Sequence, residues 1–362
     1  MTSATRGNVP GGDPASSHPS ASRASAPETR TTPTATGTTA TATGTTAPTV
    51  GRLAPSPTGL LHLGHARTFL IAWWSARSQG GQIVLRIEDL DGARAEQKFI
   101  DTALHDLEWL GLDWDGPPLI QSSGLPRLND AIDHLVQRRL AYPCTCTRGD
   151  VRNAQSAPQQ GVAEPRYPGT CRDRYTSIAQ AEATSGRPAG LRLRVPNGPI
   201  TFDDRIAGPQ SFDVQAQVGD FLIARRGGAP AYQLAVVVDD AFQHVTEIVR
   251  GDDLLPSTAR QILLQRALAL PHPTWSHLPL VLDSNGRRLA KREAALGLSD
   301  LRARGVDPRA IVTFAAQTSG IHISDLVTPA QALPAFNLDT IPRTPISLSP
   351  ENAPFLAFLT QR

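Results

Sequence analysis

The chain has 362 residues and a formal charge of only +2, from 35 basic and 33 acidic side chains. That balance excludes a histone-like polycation, so a nucleic-acid partner would have to be met by a local patch. The length is too great for one small domain and too short for three ordinary ones. Lysine occurs only at Lys98 and Lys291, so arginine supplies 33 of the basic residues, and a lysine kept against that bias is informative. The three cysteines all fall between Cys144 and Cys171. They are too few for a disulfide framework and point to a reducing, cytoplasmic setting and a shared ligand. No apolar run of about 18 residues offers a membrane span, and the N-terminus lacks the apolar segment of a secretory signal.

In residues 1–50, Thr, Ala, Ser, Pro and Gly account for 40 positions, with no Leu, Ile, Phe, Trp or Tyr. Such a segment cannot bury enough apolar surface to offset its ordering entropy, and a disordered tail is expected. Residues 51–142 are expected to form the first half of a Rossmann-type parallel sheet. A short strand at 51–53 runs into a Pro/Gly turn, a helix follows at 66–78, and Gly80-Gly81 separates it from a strand at 82–87. Strand, turn, helix and strand in that order make a βαβ unit with a right-handed crossover. Further helices are expected at 95–110 and 126–140.

Residues 143–215 read as a loop-rich insertion carrying the cysteines, with a mobile Ala/Gln/Pro-rich stretch at 153–162. Short strands are expected at 191–195, 200–202, 221–224 and 245–249. The continuous apolar run Ala231–Val238 reads as a buried strand. A helix at 257–270 has Ser257 as its cap and Pro256 just outside. Residues 216–320 complete the second Rossmann half, and 321–362, with six prolines between 329 and 354, is expected to be a loosely packed tail.

Four residue groups carry candidate chemistry. His62-Leu63-Gly64-His65 follows the Pro/Gly turn at a helix start, where free N–H groups attract anions and glycine admits a ligand to the backbone. Taken alone, it is more simply a capped helix with two surface histidines. Arg288-Leu289-Ala290-Lys291-Arg292 follows a turn, and its lysine, in a chain that nearly always uses arginine, suits a phosphate on a mobile loop. Cys144, Cys146 and Cys171 fit a structural zinc site, for which Tyr167, Asp150, Asp173 and Glu164 are the local candidates for a fourth ligand. Arg86-Ile87-Glu88-Asp89-Leu90-Asp91 places carboxylates at the carboxyl end of a parallel strand, where ligands of open α/β sheets bind. Tyr232 and Arg250 have no local signature of their own.

Together these groups resemble a known family. HLGH is similar to the HIGH signature, and RLAKR to the KMSKS loop, of class I aminoacyl-tRNA synthetases. RLAPSPTGLLHLGHART, RIEDLD, YPGTCR, AYQLAVVVDD and EIVRGDDLL narrow the resemblance to the glutamyl branch. Only 70 residues follow Arg292, too few for the helical anticodon-binding region of a full glutamyl-tRNA synthetase. The resemblance is therefore to the truncated glutamyl-Q tRNA(Asp) synthetase family.

It implies activation of L-glutamate with ATP and Mg²⁺ and transfer of the glutamyl group to queuosine at the wobble position of tRNA(Asp), by a monomer with no membrane partner. It further implies that Arg52, Leu53, Ala54, Pro55, Ser56, Glu88, Tyr232 and Arg250 bind glutamate, with an arginine able to grip a carboxylate bidentately. His62, Gly64, His65 and Lys291 would bind ATP, with His62, His65 and Lys291 acting in catalysis. Cys144, Cys146, Tyr167 and Cys171 would hold Zn²⁺. Arg288 and Ala290 depart from the KMSKS pattern, and a slower but active enzyme is expected. Two other classes stay open: a ligase charging a small-molecule amine or tRNA(Glu), and a catalytically inactive tRNA-binding relative.

Overall fold

Two apolar runs flanking Gly80-Gly81 set the first layer of the molecule. In the computed structural model the described residues are 48–91, 95–154, 165–283, 286–287, 289 and 297–359. The expectations for the first 47 residues, for 155–162 and for Lys291 lie outside them. Val50–Leu53 (β1) is fully buried, and Gly51 lets the helix Leu63–Ser78 (α1) lie close, since a Cβ there would stand 3.0 Å from that of Ala76. Gln82–Ile87 (β2) pairs parallel with β1, and after Gln97–Trp109 (α2) the short Leu119–Ile120 (β3) pairs parallel with β2.

Leu125–Gln137 (α3) leads to Ala141–Cys144 (β4), Arg148–Asn153 (α4), Ile178–Ser185 (α5) and Gly190–Leu193 (β5). Next come Ile200–Asp204 (β6), Gly208–Phe212 (β7), Val214–Gln217 (α6) and Leu222–Ala224 (β8). Strands β4, β5 and β8 form a separate antiparallel sheet that carries the cysteines at its edge.

The second parallel half follows with Tyr232–Phe242 (α7), Glu247–Gly251 (β9), Leu255–Leu268 (α8) and Thr274–Leu278 (β10). Here β9 and β6 flank β10 in parallel, and β7 closes the edge antiparallel to β6. The two halves meet at β1 and β9, where the Thr246 N–H donates to Val50 O at 2.9 Å and Arg52 Nη1 to Val249 O at 3.0 Å. Strand order reverses at this junction, which is where open α/β sheets leave a crevice at the carboxyl ends of their strands. Val281–Leu282 (β11), Leu298–Ala303 (α9), Pro308–Gln317 (α10), Pro329–Ala332 (α11) and Ile346–Ser347 (β12) complete the chain, with β12 parallel to β11.

Three expectations are corrected. The run Ala231–Val238 is not a strand: Tyr232 begins helix α7, and Leu234 to Asp240 are all buried. A helix apolar on every side reads like a core strand, because periodicity vanishes when every face is covered. Helix α8 starts at Leu255 and takes Pro256 into its first turn, where a missing N–H costs nothing. Ser257 is therefore not its cap but accepts hydrogen bonds from the Gln233 and Arg260 side chains.

The C-terminal segment is not a loose tail. Ala332, Phe336, Leu338, Ile341, Leu348, Ala353 and Phe355 join the same core as α1 and α10. Its prolines set the turns, and the apolar residues between them fill the core. Trp74, fully buried, donates from Nε1 to Pro329 O at 2.9 Å and packs against Phe336 with ring centroids 5.8 Å apart. Phe336→Ala is accordingly expected to cost about 3 kcal/mol in urea unfolding. A loss below about 0.5 kcal/mol, the scale of a surface change, would show that the segment is peripheral.

Candidate active site

Beyond the carboxyl ends of β1, β2, β9 and β10 lies a cleft of about 350 Å³. Arg52, Ala54, Pro55, Ser56, Glu88, Tyr232 and Arg250 line it together with His62, Gly64 and His65. Residues separated by almost 200 positions thus meet because β1 and β9 are neighbours. Leu53 differs from the rest of its segment: strand alternation turns its side chain into the core, where it is fully buried. Lys291 is outside the described residues, but Leu289 of the same loop lines the cleft.

The layer beneath the cleft is charged and buried. Arg52, Arg86 and Arg250 are exposed by 6 %, 0 % and 4 %, so each charge needs a partner. Asp240, from the last turns of α7, accepts from Arg86 Nη1 at 2.8 Å and lies 3.8 Å from Arg52 Nε. Glu88 takes Arg86 Nη2 at 3.2 Å, and its other oxygen accepts from the Ser56 hydroxyl at 3.3 Å. Burial works against the charge of Arg86, but Asp240 and Glu88 outweigh it and raise the guanidinium. Burial lowers Arg52 in spite of Asp240.

Among the described residues Arg250 has no carboxylate partner within salt-bridge distance. Burial brings it down to about 10, still protonated at neutral pH. Its Nε donates to His277 Nε2 at 3.0 Å, and its Nη2 to Thr258 Oγ1 at 2.8 Å and Leu254 O at 3.4 Å. Among the described residues Nη1 has no hydrogen-bond partner. Either fork of a guanidinium would need Nε or Nη2, which are engaged. Arg250 therefore keeps one nitrogen without a partner, the buried Nη1, so the bidentate grip expected of Arg250 or Arg52 is not available at Arg250. Tyr232 opens α7 and is 40 % exposed toward the cleft it lines. Loss of water around the phenol, and then the charge of Glu88, push it up to about 12, so it remains a neutral donor.

HLGH forms the entrance wall. His62 is the N-cap of α1, its backbone N–H donates to His65 Nδ1 at 3.2 Å, and the two rings stack with centroids 3.6 Å apart. Gly64 leaves room for that stack, since a Cβ would stand 3.1 Å from the His62 ring. Sequence reasoning passed over Arg67, which is 1 % exposed and donates to Thr318 Oγ1, Thr318 O and Pro279 O, each at 3.1 Å. It ties α1 to the end of α10 and to the segment after β10. Asp204 and His277 were passed over too. Arg86 and Asp240 stood within the RIEDLD and AYQLAVVVDD motifs but were given no role; Arg86 lies two residues before Glu88 on one strand face. Of the RIEDLD carboxylates, Glu88 alone lines the cleft. Asp89 accepts from the Ser122 N–H at 2.8 Å and its hydroxyl at 2.5 Å, and Asp91 lies 3.6 Å from Arg225.

A second centre lies at the end of β4. The Sγ atoms of Cys144, Cys146 and Cys171 all lie within 4.8 Å of one another, with Cys146 and Cys171 only 3.5 Å apart. Tyr167 Oη is 3.4 Å from Cys144 Sγ and accepts from the Cys171 N–H at 2.8 Å. The hydrogen bond from Cys146, with the Arg192 charge behind it, lowers the Cys144 thiol against the cost of burial. Three thiols and a phenol converging on one point could hold a tetrahedral metal ion. Asp150 instead caps α4, Asp173 pairs with Arg194, and Glu164 lies outside the described residues.

Comparisons with known proteins agree with this arrangement. Residues 49–330 match the family of class I tRNA synthetases (E and Q), catalytic domain. A glutamyl-Q tRNA(Asp) synthetase of Symbiobacterium thermophilum is 45 % identical over 306 residues, 82 % of this chain and 94 % of that protein. A glutamate–tRNA ligase of Geobacter sulfurreducens is 39 % identical over 77 % of this chain but only 58 % of its own length. Among solved structures, the glutamate–tRNA ligase of Elizabethkingia meningosepticum superposes with a TM-score of 0.73 at 25 % identity, covering 87 % of this chain and 70 % of that one. The charged cleft at the strand-order reversal, the HLGH helix start and a family match spanning most of the chain make this protein a member of the class I (E and Q) tRNA synthetase family, a family of ligases.

Proposed function

We propose that the chain activates L-glutamate with ATP as glutamyl-adenylate and passes the glutamyl group to queuosine at the wobble position of tRNA(Asp), as a monomer. The observation that carries this reading is what the cleft brings together: the guanidiniums of Arg52 and Arg250, the Tyr232 hydroxyl and the Glu88 carboxylate line it beside the start of α1. In this reading Arg250 Nη1, Arg52 and the neutral Tyr232 hydroxyl meet substrate carboxylate oxygens. Glu88, whose oxygens keep unused lone pairs, takes the ammonium group.

No side chain is needed as nucleophile. A substrate carboxylate oxygen attacks the α-phosphorus of ATP, and the bond to pyrophosphate breaks. The chain's contribution is positioning and charge stabilisation, from the α1 start, His62 and His65 on one side and Lys291 on the other. Mg²⁺ accompanies ATP and offsets its phosphate charge. The acceptor is favoured by the relatives: the Symbiobacterium glutamyl-Q tRNA(Asp) synthetase is covered over 94 % of its length, the Geobacter glutamate–tRNA ligase over only 58 %. At the second centre Zn²⁺ would be held by Cys144, Cys146, Cys171 and Tyr167, supplying a cross-link to a segment with a small core of its own.

Glutamate-dependent ATP–pyrophosphate exchange is expected without any tRNA, with transfer only to queuosine-containing tRNA(Asp). Transfer to the 3′ end of tRNA(Glu), or to a small-molecule amine, would replace the acceptor, and absence of exchange would leave only a binding module.

Lys291→Ala is expected to slow adenylate formation at least on the order of a hundredfold in pre-steady-state measurements, the scale of one lost transition-state charge contact. Lys98→Ala is the control, an exposed residue paired with Glu96, and should be silent. Equal behaviour of the two variants would reduce the loop to a basic surface turn.

Elemental analysis should find one zinc per chain, and Cys146→Ser should lose most of it while the parallel sheet stays folded. Full zinc occupancy in that variant would contradict the ligand set.

A further inference from the structure

Behind Arg250 lies a buried chain of polar groups to which no substrate contact is assigned. Asp204, at the end of β6 and 3 % exposed, accepts from the N–H groups of Ile206 at 3.0 Å, Ala207 at 2.8 Å and His277 at 3.1 Å. Its other oxygen stands 2.5 Å from His277 Nδ1. His277, on β10 and 1 % exposed, in turn has its Nε2 at 3.0 Å from Arg250 Nε. The order of donors follows from elimination. Arginine can only donate, so Nε2 must be the unprotonated acceptor, and the imidazole proton must sit on Nδ1, where Asp204 receives it.

We infer that Asp204 and His277 are positioning residues that lock the Arg250 guanidinium in one rotation and leave its buried Nη1 as the one nitrogen without a hydrogen-bond partner among the described residues. The inference rests on the proposed glutamate site and names what sets its geometry. Neutral acceptors are needed here. A carboxylate in place of His277 would neutralise Arg250 and compete with the anionic substrate, whereas an imidazole acceptor fixes the guanidinium and leaves its charge in place. Thr258 Oγ1, accepting from Nη2 at 2.8 Å, does the same from α8. Burial holds His277 below its ordinary value in spite of Asp204, consistent with the neutral imidazole that the donor order requires.

Two substitutions of similar size separate this role from a purely structural one. In His277→Gln the side-chain carbonyl can reach the former Nε2 position and accept from Arg250, while the contact to Asp204 is given up. In His277→Asn the amide occupies the Nδ1 position and keeps Asp204, while the acceptor for Arg250 is lost. The readout is steady-state ATP–pyrophosphate exchange, with KM for glutamate and for ATP measured separately. The expected result is a KM for glutamate raised about tenfold or more in His277→Asn, the scale of one hydrogen bond to a charged group. His277→Gln should stay within about threefold of the unsubstituted protein, and KM for ATP within about twofold in both.

The inference is overturned if His277→Asn is as good as or better than His277→Gln, which is what anchoring to Asp204 alone would give. It is overturned equally if glutamate and ATP KM rise together. Should one variant not fold, the other decides by its own threshold. Absence of glutamate-dependent exchange in the unsubstituted protein would instead remove the underlying site reading, so the two failures are distinguishable.

Discussion

Burial of arginine charge at the junction of β1 and β9 governs the rest of the structure. An ion taken out of water loses several kcal/mol unless opposite charge and hydrogen bonds replace the water. Arg52 and Arg86 obtain that replacement from Asp240 and Glu88. Asp240 lies in α7, so the helix must be placed with its acidic turn against β1 and β2 before either arginine can be buried. The requirement explains why Asp239 and Asp240 sit together in an otherwise apolar helix. Asp240 faces the sheet, and Asp239 turns to Arg127 and Gln121 on the other side.

The same junction also places Tyr232. It is the first residue of α7, two turns ahead of Asp240, and the Ala231 N–H before it donates to Ile223 O at 2.8 Å. One end of the helix thus compensates the floor of the cleft while the other contributes a neutral hydroxyl to it. At the opposite wall Gly64 and the stacked histidines form the start of α1, and Arg67 one turn later holds that helix to the segment after β10. Both walls are therefore fixed by buried arginines and not by apolar packing alone.

Much of this was readable from sequence, and the parts that were not share a cause. The strand Gln82–Ile87 and helices α1, α2 and α3 lie within a few residues of expectation, because amphipathic or Gly-bounded segments announce their period and their ends. The residues expected to bind glutamate, together with His62, Gly64 and His65, line one cleft apart from the Leu53 side chain. What failed was α7, where complete burial erased the period, and the C-terminal segment, where prolines read as looseness although the residues between them fill a core. The partners of the site residues were invisible for a different reason. Asp204, His277 and Asp240 act through contacts across 27 to 154 positions, and no local spacing encodes such a pairing.

In the proposed reading, the single unpartnered nitrogen of Arg250 has a consequence for selectivity. A two-pronged guanidinium would bind any carboxylate strongly by itself, and discrimination between substrates would then depend on little else. A single nitrogen leaves the second carboxylate oxygen to be met by another group, and the Tyr232 hydroxyl, kept neutral by its surroundings, is a donor lining the same cleft. The two donors come from β9 and α7, so the carboxylate is bound well only when those elements are correctly spaced. An amide that turned its NH₂ group toward Arg250 would leave a buried pair of donors unsatisfied, at a cost that binding elsewhere has to overcome. Discrimination for acid over amide then rests on Arg250, which can only donate, since the Tyr232 hydroxyl can also accept. That arrangement is available only because the Arg250 charge is fixed by neutral groups and not cancelled by a carboxylate of the protein itself.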